Sequence, residues 1–404
     1  MITPREIQFA REHLDDDIHS ILLGKHKYPG LDVSKCVLQI EGLRKMRDKI
    51  PEWYACKQVF IPSLLALEQA SSQATALYKQ RFCSNPGPVI DLTGGLGVDA
   101  YYFAQKNERV VYLEREPLLC RTAEHNFRVL GAGTGLNVLR GDAARPWEQL
   151  TDIPYASMVY ADPSRREGER RLRDIALYSP DITQIRESVL ERAAAFLVKI
   201  SPLADISRTL SLLPGTVEVH VVSVGNECKE LLFLMKKNDP ASADPLIVCA
   251  GGFSFHRGEE VLAARTVERN GCEGAPVEGD CLYEPDVSLL KAGAFALPVT
   301  RFGVKKLHRN SHFYVSSFPV RGFPSRKFRI REVIPFTSAN MKKMHTRFPQ
   351  ASITVRNFPL TVAEWRKKAG IADGGTGYLF GTTTHSGGKD VPVVIYATKW
   401  EESI

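Results

Sequence analysis

The stretch Asp91-Leu-Thr-Gly-Gly-Leu-Gly-Val-Asp99 constrains this chain more than any other, because of what flanks it. Gly87-Pro88 marks a turn before it, and Val89-Ile90 begins a short apolar run. Ala100-Tyr-Tyr-Phe-Ala104 follows as the opening of a helix, and Arg109-Val-Val-Tyr-Leu113 is a second apolar run ending on Glu114. Strand, glycine turn, helix, strand and acid, in that order, describe a βαβ unit with a nucleotide-type loop. Glycines suit such a loop because a Cβ would obstruct a closely approaching ligand. An acid that ends the second strand can accept hydrogen bonds from both hydroxyls of a ribose. The unit therefore predicts an adenosine-containing cofactor; a turn needed only for packing is the blander alternative.

Gly95-Leu-Gly97-Val-Asp-Ala100 also fits the dinucleotide pattern G-x-G-x-x-A. Three features favour S-adenosylmethionine instead. Asp91 stands ahead of the glycines, where a carboxylate can bind the ammonium of a methionine moiety but would repel a pyrophosphate. A third βα unit ends in Asn137-Val-Leu-Arg-Gly-Asp142, an acid placed to accept from an adenine amino group. Ser157-Met-Val-Tyr-Ala161 is a further apolar run, ending in Asp162-Pro163-Ser164-Arg165-Arg166. An acid followed by proline at that point is a device for methyl transfer to amines.

With these residues in place, the stretch from about Val89 to Lys236 resembles a class I S-adenosylmethionine-dependent methyltransferase. Asp91-x-x-x-Gly95-x-Gly97 matches the first motif of that family, Glu114 the second, Asp142 the third and Asp162-Pro163 the fourth. Thr93 to Ala100, followed by Leu113-Glu-Arg-Glu-Pro117, is similar to bacterial guanine-N2 methyltransferases of small-subunit ribosomal RNA. The resemblance implies an α/β fold, a Rossmann-like seven-stranded sheet closed by an antiparallel hairpin. It implies that Asp91, Thr93, Gly95, Gly97, Glu114 and Asp142 hold the cofactor, and that Asp162, Pro163 and Arg165 serve the acceptor. Ala193 to Ile200 reads as the fifth strand, Val217 to Val224 as the sixth, and Leu231 to Met235 returns after a Gly225-Asn226 turn.

A carboxylate and a strand-end carbonyl that accept the two N–H groups of an amine would hold its lone pair toward the methyl donor. Such orientation can supply roughly 7–11 kcal/mol of a barrier. Asp162 would also stabilise positive charge growing on nitrogen. The sequence departs from the usual nucleic-acid pattern of Pro-Pro followed by an aromatic: Ser164 and Arg165 stand there. Arg165 could stack on a base or pair with phosphate, and Tyr160 or Tyr178 could supply a ring. Lys199 is a further electrostatic candidate. A cysteine-dependent route to pyrimidine carbon-5 is disfavoured, because Lys199-Ile-Ser-Pro202 carries no thiol and Cys228 lies well beyond it.

The ends of the chain add length and charge. Residues 1–85 read as helices, clearest from Leu64 to Tyr78, with no chemistry apparent and packing as the expected role. From Arg301 to Ile404 there are 18 Lys and Arg against 6 Asp and Glu, a net of +12 in a chain of +7. A segregated basic region appended to a methyltransferase favours a polyanion. His312 to Ser316, Arg326 to Val333, Ala351 to Phe358, Tyr378 to Phe380 and Val391 to Thr398 read as strands, with helices at Ser338 to Phe348 and Thr361 to Gly370. Val355-Arg-Asn-Phe-Pro359 with Arg366-Lys-Lys-Ala-Gly-Ile371 resembles the THUMP-like domain, and about Tyr283 to Phe328 resembles the ferredoxin-like module that precedes it. The resemblance implies an RNA acceptor, ribosomal or transfer RNA.

The expected division is 1–85 helical, 86–240 methyltransferase, 241–328 connecting segment with ferredoxin-like module, and 329–404 THUMP-like. No apolar run reaches the ~18 residues of a membrane span. The scattered cysteines, with no Cys-x-x-Cys pair, fit a reduced cytoplasmic chain with no metal. The rival readings are a methyltransferase for a protein or small-molecule amine, an RNA-binding factor with a vestigial methyltransferase core, and a dinucleotide oxidoreductase.

Overall fold

A computed structural model describes residues 2–83, 85–164, 166–167, 170–171, 175–270, 275–386 and 388–400. The chain forms two compact units, 1–219 with 229–243, and 220–228 with 244–404.

The first unit opens with six helices: α1 (Pro4–Glu12), α2 (Ile18–Leu23), α3 (Val33–Lys49), α4 (Pro51–Ala55), α5 (Leu64–Gln69) and α6 (Gln73–Lys79). The single helix expected from Leu64 to Tyr78 is two. Ala70 is extended (φ −61°, ψ 152°), and the Ser72 hydroxyl accepts from the Thr75 N–H to start α6. Two serines at the junction explain the break, since their side chains cap a new helix better than they continue an old one.

The sheet follows as β1 (Val89–Asp91), α7 (Val98–Ala104), β2 (Val110–Glu114), α8 (Pro117–Val129), β3 (Leu136–Arg140), β4 (Met158–Ala161), α9 (Ile182–Glu191), β5 (Phe196–Ile200), α10 (Ile206–Leu212), β6 (Thr216–Val224) and β7 (Glu227–Met235). Their spatial order is β6-β7-β5-β4-β1-β2-β3. Strands β1 to β5 are parallel, whereas β7 runs antiparallel to β5, with Phe196 opposite Met235 and Ile200 opposite Leu231. Every residue of β1 and β4 is buried, as expected of central parallel strands covered on both faces. Gly225 and Asn226, at φ of +60° and +61°, turn β6 into β7; two successive positive φ values are what a tight right-twisted hairpin requires. These seven strands are the arrangement expected from the sequence, within a sheet of nine. Their order places the ends of β1, β2, β3 and β4 side by side, the crevice where open α/β sheets bind ligands.

In the second unit, β8 (Leu246–Val248) and β9 (Ser254–His256) pair antiparallel, and α11 (Arg257–Asn270) follows. Then come β10 (Cys281–Pro285), α12 (Val287–Ala292), α13 (Leu297–Phe302), β11 (Lys305–Lys306), β12 (Tyr314–Ser316), β13 (Ser325–Pro335), α14 (Ser338–Arg347), β14 (Ser352–Arg356), α15 (Val362–Ala369), β15 (Gly377–Ser386) and β16 (Lys389–Lys399). Strands β10 to β16 form one seven-stranded sheet in the order β11-β12-β10-β13-β16-β15-β14. Tyr283 lies within strand β10. One core cluster gathers Leu282, Phe313, Phe328 and Phe380; a second packs Met344 of α14 and Trp365 of α15 on Leu379 and Val394. Among the described residues, no helix is long and apolar enough to cross a membrane.

Candidate active site

The glycine loop links β1 to α7, and its three glycines serve different ends. A Cβ on Gly94 would lie 2.2 Å from the Tyr112 ring, and one on Gly97 2.6 Å from Phe127. These two let the loop press onto β2 and α8. Gly95 sits at φ +55°, and a Cβ there would meet only the Thr93 carbonyl at 3.7 Å. Gly95 is therefore the open position where a ligand can approach the backbone. The Tyr112 hydroxyl donates to the Gly95 carbonyl at 2.7 Å and holds the loop.

The sequence-assigned acids stand at the ends of successive strands. Asp91 is 1% exposed and accepts from the Thr93 N–H at 3.0 Å. Burial, reinforced by Asp99, raises its carboxyl well above the ordinary range. Glu114 accepts from the Gly95 N–H and the Glu116 N–H, each at 2.9 Å, so both its oxygens are anchored. Asp142 is exposed beyond β3 and accepts from the Ala144 N–H at 3.0 Å. Thr93 has a role that its place in the glycine motif did not announce. Its hydroxyl accepts from the Asp162 N–H at 2.7 Å and ties the first loop to the fourth.

Asp162 terminates β4, with its side chain 31% exposed. The Lys199 ammonium of β5 contacts its Oδ2 at 2.5 Å. Lys199 also lies 4.0 Å from Glu230 of β7, which is 2% exposed. Glu230 in turn pairs at 3.0 Å with Lys79, the last residue of α6 and completely buried. Lys79 pairs with Asp99 of α7 at 3.0 Å and donates to Ser71 at 2.8 Å; Asp99 accepts from Ser71 at 2.7 Å and from the Tyr160 hydroxyl at 3.0 Å. Burial by itself would raise Asp99, but Lys79 and Lys199 hold it below its ordinary value. Burial dominates at Glu230, which is raised despite the same two lysines. For Lys199, burial acts downward and is overcome by Asp162 and Glu230, so its ammonium is held more firmly than usual.

This network contains residues that sequence reasoning missed. Lys79, Ser71 and Glu230 carry no motif. Residues 1–85 contribute a buried charge to this network through Lys79. Glu52 accepts from the hydroxyls of Tyr101 and Tyr102 at 2.9 and 2.7 Å and fixes α7 from the other side. Lys49 of α3 donates to the carbonyls of Leu67 and Glu68, both at 2.8 Å. Burial, with Lys199 nearby, lowers Lys49 to about 8. The only signal for Lys79 was a lysine closing a helix of apolar and small residues.

Two expectations are corrected. Tyr160 is 1% exposed with its hydroxyl committed to Asp99, and Tyr178 is 6% exposed. Both rings belong to the core, so neither is open to stack on an acceptor. Arg165 lies outside the described residues, while Pro163 is buried beside Asp162.

The family described as THUMP domain-like matches residues 325–399, and one described as a ferredoxin-like domain matches 282–324. The two regions share a single sheet, because β10 pairs with β13 from Cys281 opposite Arg329 to Pro285 opposite Ser325. No curated protein sequence matches the chain. The crystal structure of a provisionally assigned methyltransferase from Porphyromonas gingivalis W83 superposes with a TM-score of 0.83 at 33% identity, covering 99% of this chain and 100% of that one. A methyltransferase from Geobacter sulfurreducens overlaps 46% of this chain and 90% of its own at 18% identity and TM-score 0.32. An rRNA methylase from Streptococcus thermophilus overlaps 39% and 94% at 11% identity and TM-score 0.30. With one-third identity to the Porphyromonas protein over both whole chains, and both C-terminal regions matched, this chain belongs to the family of class I S-adenosylmethionine-dependent methyltransferases that carry a ferredoxin-like and a THUMP-like domain.

Proposed function

We propose that this protein transfers a methyl group from S-adenosylmethionine to RNA, at the exocyclic amine of a base, with guanine N2 the first candidate. The observation that carries the reading is Asp162: a half-exposed carboxylate at the end of β4, fixed through Oδ2 by Lys199 and through its backbone by Thr93.

The residues present fit the cofactor. Gly95 leaves an open backbone face, Asp91 offers a carboxylate for the ammonium, Glu114 one for the ribose, and Asp142 one for the adenine amine. When bound, S-adenosylmethionine supplies a sulfonium-activated methyl group. Asp162 Oδ1 accepts an N–H of the acceptor amine and orients its lone pair. Lys199, on the other oxygen, holds the carboxylate in place. As positive charge grows on the nitrogen, Asp162 stabilises it in a partly dry site, where such pairing is stronger than in water. The proton leaves to solvent after transfer, so a strong base is not required. The RNA acceptor rests on the THUMP-like match and on the basic C-terminal segment, whose cations suit phosphate contacts without sequence choice.

The test is incubation with tritiated S-adenosylmethionine and total RNA from cells lacking the gene, followed by digestion to nucleosides. Labelled N2-methylguanosine supports the full reading. Label on another base corrects the acceptor, and the absence of label alongside measured cofactor binding sinks the RNA assignment. Asp162→Ala is expected to keep cofactor affinity and lose transfer; equal loss of both would make Asp162 structural.

A further inference from the structure

The cofactor motifs leave one part of the site unexplained: a chain of alternating charges that runs from a dry interior to the half-exposed Asp162. Its members come from four elements. Lys79 of α6 is 0% exposed, Glu230 of β7 2%, Lys199 of β5 16%, and Asp162 at the end of β4 31%. The contacts run 3.0 Å from Lys79 to Glu230, 4.0 Å from Glu230 to Lys199, and 2.5 Å from Lys199 to Asp162. Asp99 closes the buried end, 3.0 Å from Lys79 and hydrogen-bonded to Ser71 and Tyr160.

Buried ion pairs are a poor source of stability, because desolvation offsets their attraction and well-packed apolar residues often do as well. What such a network can do is fix where a charge sits. Lys199 lies against two acids, 2.5 Å from Asp162 and 4.0 Å from Glu230. With Glu230 absent, Asp162 would be its one remaining close partner, and the pair could move together toward solvent. With Glu230 present and itself held by Lys79, the ammonium has one place to be.

We propose that Lys79 and Glu230 are positioning residues for methyl transfer, acting through Lys199 to hold Asp162 at the acceptor. This rests on the reading of Asp162 as the group that orients the acceptor amine. It assigns a purpose to the N-terminal helical region, which supplies the deepest cation of the chain.

The test uses the full-length protein and four variants, Lys79→Met and Lys79→Arg beside the two described next. Glu230→Gln keeps a hydrogen-bonding side chain and removes the charge. Lys79→Met/Asp99→Asn/Glu230→Met removes the buried cation together with both acids that pair with it, so that no carboxylate is left buried without a partner. Three readouts are taken: S-adenosylhomocysteine affinity by calorimetry, tritium transfer to total RNA from cells lacking the gene, and acetylation of individual lysines by acetic anhydride, resolved by mass spectrometry. Cofactor affinity is expected to stay within about twofold in both variants while the rate of transfer at saturating RNA falls on the order of tenfold or more. Lys199 is expected to acetylate faster in Glu230→Gln, since losing an acid partner frees its amine. Lys79→Arg, which preserves the charge, is expected to transfer better than Lys79→Met. Unchanged transfer in both folded variants overturns the proposal, as does unchanged Lys199 acetylation in Glu230→Gln. If the wild-type protein labels no RNA, the proposed function falls, and Lys199 acetylation alone decides whether the coupling exists.

Discussion

Lys79→Met on its own should be among the most damaging single substitutions in the first unit. The ammonium is fully buried, 3.0 Å from Asp99, 3.0 Å from Glu230 and 2.8 Å from the Ser71 hydroxyl. Methionine fills a similar volume, so packing changes little. What remains is two buried carboxylates without their shared cation. Removing one partner of a buried pair costs about 3–5 kcal/mol. The pH dependence gives the argument its sign. In the native protein Asp99 is held below its ordinary value, so its stabilising contribution is present at neutral pH and is lost on acidification. In the variant the folded-state carboxylates are raised above their unfolded values. The penalty is then largest above the raised pKa and shrinks as pH falls toward the ordinary carboxylate range near ~4. Urea titrations of wild type and Lys79→Met at pH 8 and pH 5.5 measure both quantities. A loss below about 1 kcal/mol at pH 8 would refute the reasoning, because it would mean the acids are not held by Lys79. So would a penalty that grows toward acid.

Other expectations are open to direct measurement. Glu114→Ala should weaken S-adenosylhomocysteine binding by about 10–100-fold, the worth of one charged hydrogen bond at about 1.5–3 kcal/mol; unchanged affinity by calorimetry removes Glu114 from the ribose. Because Asp91 is raised well above the carboxylate range, cofactor affinity should rise with pH as Asp91 ionises and release a proton on binding. Calorimetry in buffers of different ionisation enthalpy reads that proton, and Asp91→Asn should abolish the pH dependence. Gly97→Ala should destabilise the first unit by about 1–3 kcal/mol, since it forces an l-residue to φ +90° and drives a methyl to 2.6 Å from Phe127. Gly95→Ala, with no such neighbour, should lose cofactor affinity more than stability.

Much of the proposed cofactor side was legible because each of its residues stands beside a local signal. Asp91, Glu114, Asp142 and Asp162 each end an apolar run, and the ends of parallel strands converge on one edge of the sheet by topology alone. The glycine loop was recognisable, but its division of labour was not. That Gly94 and Gly97 answer to Tyr112 and Phe127, while Gly95 is open, depends on which rings of β2 and α8 lie beneath the loop. Tyr160 and Tyr178 illustrate the opposite error. An aromatic near a catalytic motif looks available in sequence, yet a central strand covered on both faces and the Asp99 contact commit Tyr160 to the core.

The second unit shows the same limit at larger scale. From His312 onward its strands and helices could be placed from alternation and capping, and Thr361 with Glu364 forms the capping box that opens α15. The joining of both C-terminal regions into one sheet could not be placed that way, because it depends on β10 pairing with a strand some forty residues later.

By itself, then, the order of strand, glycine loop, helix and acid determined the methyltransferase sheet and the side on which the proposed cofactor would bind, since both follow from short-range periodicity and the geometry of parallel strands. Tertiary structure alone decided how Asp162 is held. Lys79 and Glu230 meet across 151 positions of sequence. Lysines are almost never fully buried unless paired, and no local pattern marks which lysine will find its partners only when distant elements close around it.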